Sequence, residues 1–245
     1  MILLKASNLV KRYGGRTVVN QVSFEVGNRE VVGLLGRNGA GKTTTFRMVM
    51  GMIAPNEGQV MFDGFDITRL PMFQRARKGM GYLSQEPSVF QRMTVEQNLL
   101  AILETTRRTA ASRHEEANRL MEQFGLTKTR HQKALTLSGG ERRKLEIARS
   151  LITNPSLILL DEPFSGVDPI AVEDLQREIR SLKDTLGKAI LITDHNVQRT
   201  LEVCDRGIII TDGKVLAQGT PKELINNPLV RQNYLGHTFK GDEFD

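Results

Sequence analysis

The chain has 245 residues, of which 39% are hydrophobic and 25% are charged, and this composition excludes a disordered protein. Its net charge of +6 comes from basic residues scattered among acidic ones, and without a tryptophan to stack on bases we expect no nucleic-acid partner. No apolar run approaches the roughly 18 residues of a membrane span. The single cysteine, Cys204, excludes an internal disulfide, so we expect a cytoplasmic protein.

The first thirty residues have the pattern of an antiparallel sheet. Residues 3–9 form a strand-like apolar run, and the pair Gly14-Gly15 is a strong turn signal. In residues 22–26 apolar and polar side chains alternate, as in a strand with one buried face. We therefore predict antiparallel β-structure at the start of the chain.

Buried strands and helices then alternate along the chain. Residues 31–35, 157–160 and 189–193 are apolar without alternation, which is typical of strands covered on both faces. A helix is predicted at 43–50, and another at 170–186, where apolar residues recur at steps of three and four. The order strand, helix, strand predicts an α/β fold with a parallel sheet and right-handed crossovers.

The middle third of the chain is predicted to be a helical insert, because residues 85–132 contain no convincing buried strand. Thr94 is a helix N-cap candidate with Gln97 three residues later. A second helix is predicted at 113–124, ending at Gly125.

After residue 205 the pattern returns to β, with a hairpin about Asp212-Gly213. We expect one domain over residues 1–245. In it, 1–84 and 133–245 form the parallel-sheet core with the antiparallel β subdomain, and about 85–132 form the helical subdomain.

A glycine-rich loop follows the first buried strand and matches G-x-x-x-x-G-K-[ST] at every fixed position. Glycines let backbone N–H groups turn toward phosphate oxygens, and the next helix directs its positive end at the same charge. The lysine then reaches the β- and γ-phosphates, and the threonine hydroxyl ligates Mg²⁺. The predicted phosphate loop is Gly36, Arg37, Asn38, Gly39, Ala40, Gly41, Lys42 and Thr43.

Two adjacent acids follow the second buried strand. Asp161 is expected beside the phosphate loop, where it can hold Mg²⁺. Glu162, the next residue, is displaced toward the γ-phosphate and can polarise an attacking water as a general base. The alternative is a pair of solvated acids at the start of the next helix.

A helix is predicted to begin at Ser138, which forms a capping box with Glu141. Serine and glycine at a helix start also form an anion site. The segment by itself does not decide between the two roles.

Taken together in chain order, these motifs resemble the nucleotide-binding subunits of ABC transporters over nearly the whole chain. The resemblance rests on the phosphate loop, on Ser138-Gly139-Gly140-Glu141, on the residues 159–163 and on His195. It implies the ABC ATPase fold, hydrolysis of ATP, and Mg²⁺ as cofactor.

The resemblance also implies roles for further residues. Tyr13 stacks on adenine, Thr44 joins the phosphate loop in binding nucleotide, and Gln85 senses both Mg²⁺ and the attacking water. His195 hydrogen-bonds the γ-phosphate as a catalytic residue, and the loop 165–168 communicates between protomers.

Quaternary structure is implied in the same way. In this family two subunits close head to tail over two ATP molecules, with Ser138, Gly139 and Gly140 facing the partner's nucleotide. The homodimer lies at the cytoplasmic face of the inner membrane, and its membrane subunits dock in a groove near residues 85–100. The apolar candidates for that groove are Met72, Phe73, Val89, Phe90, Leu99 and Leu100, although packing in the core is the simpler explanation for any one of them.

Three branches of the family are candidates. Segments 82–86, 164–169 and 193–197 most resemble the ATPases of lipopolysaccharide export, and Glu141 fits that type. The start of the phosphate loop, Gly36-Arg37-Asn38, is as similar to that of branched-chain amino-acid import ATPases as to that of the export ATPases. Soluble members that clamp nucleic acid usually carry two cassettes or a zinc insertion, whereas this chain has one cassette and one cysteine.

Overall fold

Two β-sheets organise the computed structural model, which describes residues 1–86, 88–165 and 169–235. The first sheet is antiparallel, as the start of the sequence predicted, with strand order β2-β1-β4-β5. The last two of these strands were not predicted, because the first three residues of β4 are exposed and β5 is only two residues long. The strands are β1 (Ile2–Tyr13), β2 (Arg16–Gly27), β4 (Glu57–Phe62) and β5 (Phe65–Asp66).

The second sheet has six strands in the order β10-β9-β3-β8-β7-β6. Its strands pair in parallel except for the antiparallel hairpin of β9 and β10. The carboxyl ends of the parallel strands therefore lie along one edge. The strands are β3 (Val31–Leu35), β6 (Met80–Leu83), β7 (Leu157–Asp161), β8 (Ala189–Asp194), β9 (Arg206–Thr211) and β10 (Lys214–Gly219).

Helices connect these strands, and the predicted ones lie within a few residues of their expected positions. Thr109 explains the largest difference, because its side chain accepts the Ser112 N–H and so starts the second insert helix three residues early. The helices of the described residues are α1 (Lys42–Met50), α2 (Met72–Arg77), α3 (Val95–Leu103), α4 (Ala110–Gln123), α5 (Gly139–Leu151), α6 (Pro169–Asp184), α7 (Val197–Leu201), α8 (Pro221–Asn226) and α9 (Pro228–Val230). Short 3-10 turns occupy Thr127–Thr129 and Ala134–Thr136, and a π-helical turn occupies Arg231–Leu235.

The capping box predicted for the insert is confirmed. The side chain of Thr94 accepts the backbone N–H of Gln97 at 3.2 Å, and the side chain of Gln97 accepts the Thr94 N–H at 2.9 Å. These two bonds satisfy donors that the first turn of α3 leaves free, and they fix where the helix begins.

The six-stranded sheet is covered on both faces, which explains why its central strands lack alternation. In β7, Ile158 and Leu160 pack into the core beneath the helical insert and α5. Leu157 and Leu159 pack into the core shared with the antiparallel sheet and α1. Within the described part of the chain, none of the helices is long and apolar enough to cross a membrane.

A buried arginine fixes the far end of α1. The Arg75 guanidinium donates to the carbonyl oxygens of Met48 at 2.9 Å and of Val49 at 2.6 Å, both in the last turn of that helix. A cation at a helix C-terminus also offsets the helix dipole. The helix that follows the glycine-rich loop is therefore anchored at its C-terminal end.

Candidate active site

The glycine-rich loop joins β3 to α1, and its backbone requires glycine. At Gly36 φ is 152°, and a Cβ there would lie 2.3 Å from the carbonyl oxygen of Ile210. At Gly41 φ is 102°, and this residue precedes α1 without a side-chain cap. The first turn of α1 also contains no acidic residue. Its N–H groups are therefore open to an anion.

Lys42 is the buried cation of this loop, since its side chain is almost completely covered whereas Arg37 is exposed. Its Nζ donates to the carbonyl oxygens of Gly36 at 2.7 Å and of Arg37 at 3.1 Å. Burial lowers the pKa of Lys42, whereas the carboxylates of Glu162, Asp194 and Asp161 act in the opposite direction. The ammonium group is thus held at the loop, within the field of three acids.

Two buried carboxylates end neighbouring parallel strands. Asp161 ends β7 and accepts the Thr193 hydroxyl at 3.4 Å, while Asp194 ends β8 and accepts the N–H groups of Asn196 at 2.9 Å and Phe164 at 3.3 Å. Burial raises the pKa of both carboxyl groups. Burial of this kind makes each carboxylate a favourable neighbour for a bound cation.

Glu162 lies where three side chains meet. Its Oε2 accepts the Gln85 amide at 3.4 Å and lies 3.4 Å from Nδ1 of His195. That Nδ1 is also 3.4 Å from Oδ1 of Asp194. These contacts are long for hydrogen bonds, as is common for catalytic groups that tighten only on a bound substrate.

The structure therefore brings together most of the predicted site at one edge of the sheet. The phosphate loop, Asp161, Glu162, Gln85 and His195 lie at the carboxyl ends of adjacent strands or just beyond them. Thr43 and Thr44 are half-buried in the first turn of α1.

Tyr13 lies outside this edge, at the tip of the β1–β2 hairpin. It pairs with Arg16, its side chain is 48% exposed, and Nζ of Lys11 lies 5.3 Å from its ring centre. Val18 lies in the same hairpin, and its carbonyl oxygen is 2.8 Å from the position that a Cβ on Gly41 would occupy. A half-exposed aromatic ring is thus carried on a hairpin that touches the phosphate loop.

The capping box predicted at Ser138 is confirmed. Its hydroxyl accepts the Glu141 N–H at 3.2 Å, and the Glu141 carboxylate accepts the Ser138 N–H at 2.9 Å. Among the described residues no hydrogen bond or ion pair joins Ser138, Gly139 or Gly140 to the phosphate loop.

The two glycines of α5 are not required by the packing of the subunit itself. Gly139 and Gly140 have no left-handed backbone, and apart from their chain neighbours and the backbone of their own helix no atom lies within 4 Å of a Cβ built on either. Glycine in a helix is about 1 kcal/mol less favourable than alanine. The open surface they leave therefore suits something that approaches the helix start closely.

One predicted loop lies largely outside the described residues. Ser165 donates its N–H to the Glu162 carbonyl at 3.2 Å. Gly166, Val167 and Asp168, predicted to communicate between protomers, belong to the part of the chain that is not described.

Sequence reasoning missed Asp194 as a member of the site. Its carboxylate is completely buried, contacts His195 and acts on Lys42. The available signal was its place at the end of the third buried strand, where parallel sheets gather functional side chains.

The docking groove predicted from the sequence needs a correction. Val89 and Leu99 are buried in the hydrophobic core, so the expectation that they line a surface groove is wrong. Phe73 is 56% exposed and Phe90 is 43% exposed, while Met72 and Leu100 are partly buried. The surface available to a partner is thus narrower than the sequence predicted.

The sequence profile of the ABC transporter family matches residues 19–165, from β2 to just beyond Glu162. The chain belongs to the ABC transporter family. A second profile, described as branched-chain amino acid ATP-binding cassette transporter, matches residues 214–240. Family membership confirms the predicted ABC ATPase fold and supports ATP binding and hydrolysis by this chain.

Curated relatives extend the match over almost the full length. The lipopolysaccharide export system ATP-binding protein LptB of Haemophilus influenzae is 51% identical over 98% of this chain and 100% of that protein. The LptB of Escherichia coli K12 is 50% identical over the same shares.

Solved structures of ABC transporter components have the same fold as this chain. A crystal structure of the ADP conformation of an ATP-binding cassette has a TM-score of 0.87 at 29% identity, covering 96% of this chain and 99% of that one. A protein of Clostridium perfringens, described as part of an ABC transporter complex, has a TM-score of 0.85 at 25% identity, covering 91% and 90%.

Proposed function

We propose that this chain is the ATPase subunit that powers lipopolysaccharide export from the cytoplasmic face of an inner membrane. The observation that carries the proposal is the identity of about half of all residues with LptB proteins over their full length. The groups needed for ATP hydrolysis meet at one edge of the sheet, which supports an active enzyme.

In this proposal the triphosphate of ATP lies in the loop from Gly36 to Thr43, against the open N-terminus of α1. Lys42 exchanges its carbonyl partners for phosphate oxygens. Thr44 follows in the same helical turn, and the exposed ring of Tyr13 offers a stacking face for adenine. The backbone N–H groups at the start of α1 are fixed before the ligand arrives, which favours their hydrogen bonds to its phosphate oxygens.

The residues present fit a bound Mg²⁺. Asp161, Glu162 and Asp194 bring three carboxylates to a site whose buried cation is Lys42, and a triphosphate adds further negative charge. A divalent cation balances that charge and, when bound, stabilises the phosphate charge that develops during the reaction. The Thr43 hydroxyl, the Gln85 amide and the Asp161 carboxylate would hold it, all of them oxygen ligands.

Glu162 is the proposed general base. Its carboxylate accepts a proton from the water that attacks the γ-phosphate. The Gln85 amide, which contacts Oε2 of that carboxylate, orients the water. His195, whose Nδ1 lies 3.4 Å from the same Glu162 oxygen, donates a hydrogen bond to the γ-phosphate. The products are ADP and inorganic phosphate.

The active unit is proposed to be a homodimer in which Ser138, Gly139 and Gly140 of one subunit complete the partner's site. Support comes from the two exposed glycines, which the subunit's own packing does not need. A backbone without side chains lets the N–H groups of α5 approach a phosphate closely. Each subunit then holds half of two sites.

Membrane-embedded subunits are proposed to dock near residues 85–100. The exposed ring of Phe90 lies beside the Gln85 segment, and Phe73 on α2 adds a second exposed ring. Aromatic side chains of this kind are typical anchors of protein interfaces. A partner seated there could sense Gln85, which contacts the catalytic acid.

Branched-chain amino-acid import is the second candidate. It is favoured by one observation, the match of residues 214–240 to the profile of that transporter class. The full-length identity to export proteins weighs against it.

Purification of the tagged chain from membranes of its own host tests the proposal. The complex is placed in liposomes that contain fluorescent lipopolysaccharide, and ATP-dependent extraction and hydrolysis are measured, with Glu162→Gln as the inactive control. We expect lipopolysaccharide to stimulate hydrolysis and to leave the bilayer. Co-purification with an amino-acid permease, and no response to lipopolysaccharide, would establish the import function instead.

A further inference from the structure

The C-terminal turn contains a tyrosine that reaches back to the sheet. The hydroxyl of Tyr234, in the turn Arg231–Leu235, donates to the carbonyl oxygen of Ile210 at 2.8 Å. The same hydroxyl lies 2.5 Å from Oγ1 of Thr211. A phenol has one proton, so Thr211 is the donor in the second bond. Tyr234 therefore holds two successive residues at the end of β9.

These residues lead into a hairpin that borders the phosphate loop at both ends. At one end, the carbonyl of Ile210 lies 2.3 Å from the position of a Cβ on Gly36. At the other, the N–H of Gly213 donates to the Ala40 carbonyl at 2.9 Å. The β9–β10 turn is thus an outer wall of the loop.

Lys42 is linked to the same wall. Its Nζ donates to the carbonyl of Gly36, the residue against which Ile210 packs. Leu35, directly before Gly36, packs in the C-terminal core together with α7, α8 and the Tyr234 ring. A shift of Ile210 would therefore reach the backbone at the start of the loop and the lysine that bonds to it.

We propose that Tyr234 is a positioning residue for nucleotide binding, which sets the shape of the phosphate loop through the Ile210–Gly213 turn. The inference rests on the nucleotide site proposed above. Glu162, Gln85 and His195 follow other strands, β7, β6 and β8, so loss of the Tyr234 hydroxyl affects binding more than the chemical step. The C-terminal segment thereby takes part in the ATP site without lying in it.

Tyr234→Phe tests this, because it removes the hydroxyl and keeps the ring in its core. We expect the Kd for a fluorescent ATP analogue and the KM for ATP to rise about three- to tenfold, the range for one lost hydrogen bond, with kcat within about twofold of the parent. Amide hydrogen exchange in residues 36–50 should speed up. Thr211→Val, which removes the other hydroxyl, should act in the same direction with a smaller effect.

Asn233→Ala is the matched control, since the exposed side chain of Asn233 donates at 2.7 Å to the Leu229 carbonyl, before the same turn, rather than to the hairpin. We expect it to leave nucleotide affinity and loop exchange unchanged. Parent-like binding and exchange in both Tyr234→Phe and Thr211→Val would overturn the inference, as would an equal loss in Asn233→Ala. Failure of the parent protein to bind the analogue would instead overturn the proposed function.

Discussion

Glu162 adopts an unusual backbone conformation for its residue type. Its φ is 45°, in the left-handed region that glycine, asparagine and aspartate occupy most easily. The conformation is held by the bond from its N–H to the Thr193 carbonyl at 2.8 Å. It places the carboxylate between Gln85 and His195. Strain of this kind concentrates at functional sites, where the surrounding structure maintains it.

At the residue scale, Glu162→Gln separates binding from hydrolysis. The amide cannot take a proton from water, so we expect turnover to fall by about 10²–10⁴-fold while ATP affinity is retained. ATP-bound dimers should accumulate, which size-exclusion chromatography with ATP would detect. Glu122→Gln, on the exposed surface of α4, is the control and should hydrolyse ATP at the parent rate. Parent-like turnover in Glu162→Gln would remove this residue from the mechanism.

At the element scale, α5 begins with glycines that destabilise it. Gly140→Ala should raise the free energy of unfolding by up to about 1 kcal/mol, because alanine is the better helix former and its Cβ meets no atom within 4 Å outside the adjacent backbone of α5. ATP binding to the single subunit should be unchanged. Hydrolysis should fall, since the Cβ would meet the partner's nucleotide. Urea denaturation, nucleotide titration and ATPase assays measure these three quantities.

Gly36→Ala provides the contrast to that variant. Its Cβ would lie 2.3 Å from the Ile210 carbonyl within the same subunit. We expect it to lose nucleotide binding in the single subunit. If Gly140→Ala behaves in the same way, its glycine serves the subunit's own fold and the composite site loses its support.

The helical insert has an acid-sensitive ion pair. Glu96 on α3 bonds to Arg130, and this bond holds the pKa of Glu96 below its usual 4.5, while Nδ1 of His114 and of His131 lie 3.8 and 3.9 Å from the same carboxylate. Because the folded-state pKa is lowered, the stabilisation is present above the unfolded-state pKa and is lost as the pH falls through the folded-state value.

We therefore expect Glu96→Gln to lower the unfolding temperature by a few degrees at neutral pH, with the difference from the parent shrinking as the pH falls from the usual 4.5 through the lowered folded-state pKa. Thermal unfolding followed by circular dichroism over a pH series measures it. Glu115→Gln, on the exposed surface of α4, should stay close to the parent throughout. A difference that is constant with pH would contradict the assignment.

At the scale of the whole molecule, the proposed site needs two subunits. Lys42→Ala should abolish nucleotide binding in its own loop, and Ser138→Ala should weaken the site that the partner completes. Neither variant alone is expected to hydrolyse ATP well. When the two variants are combined in equal amounts, half of the dimers contain one subunit of each. Each of these mixed dimers has one intact site out of two, so about a quarter of the parent activity should return. A mixture as inactive as its components would rule out the head-to-tail arrangement.

The sequence by itself determined the elements that depend on local pattern. Buried strands at residues 31–35, 157–160 and 189–193 lie where unbroken apolar runs predicted them, because a strand covered on both faces needs no polar side. The phosphate loop was equally predictable from the sequence, since its glycines are required by the local backbone conformation of a few residues. The subdomain boundaries near 85 and 132 and the roles of the site residues stay predictions.

Only the tertiary structure decided which distant residues meet. The lateral strand order β8-β3-β9, the electrostatic effect of buried Asp194 on Lys42 and the bond from Tyr234 to Ile210 join segments far apart in the chain. No local window contains both partners of such a contact. Their pairing follows from the packing of the whole sheet and its helices, in which each element takes the place that buries its apolar face and satisfies its polar groups.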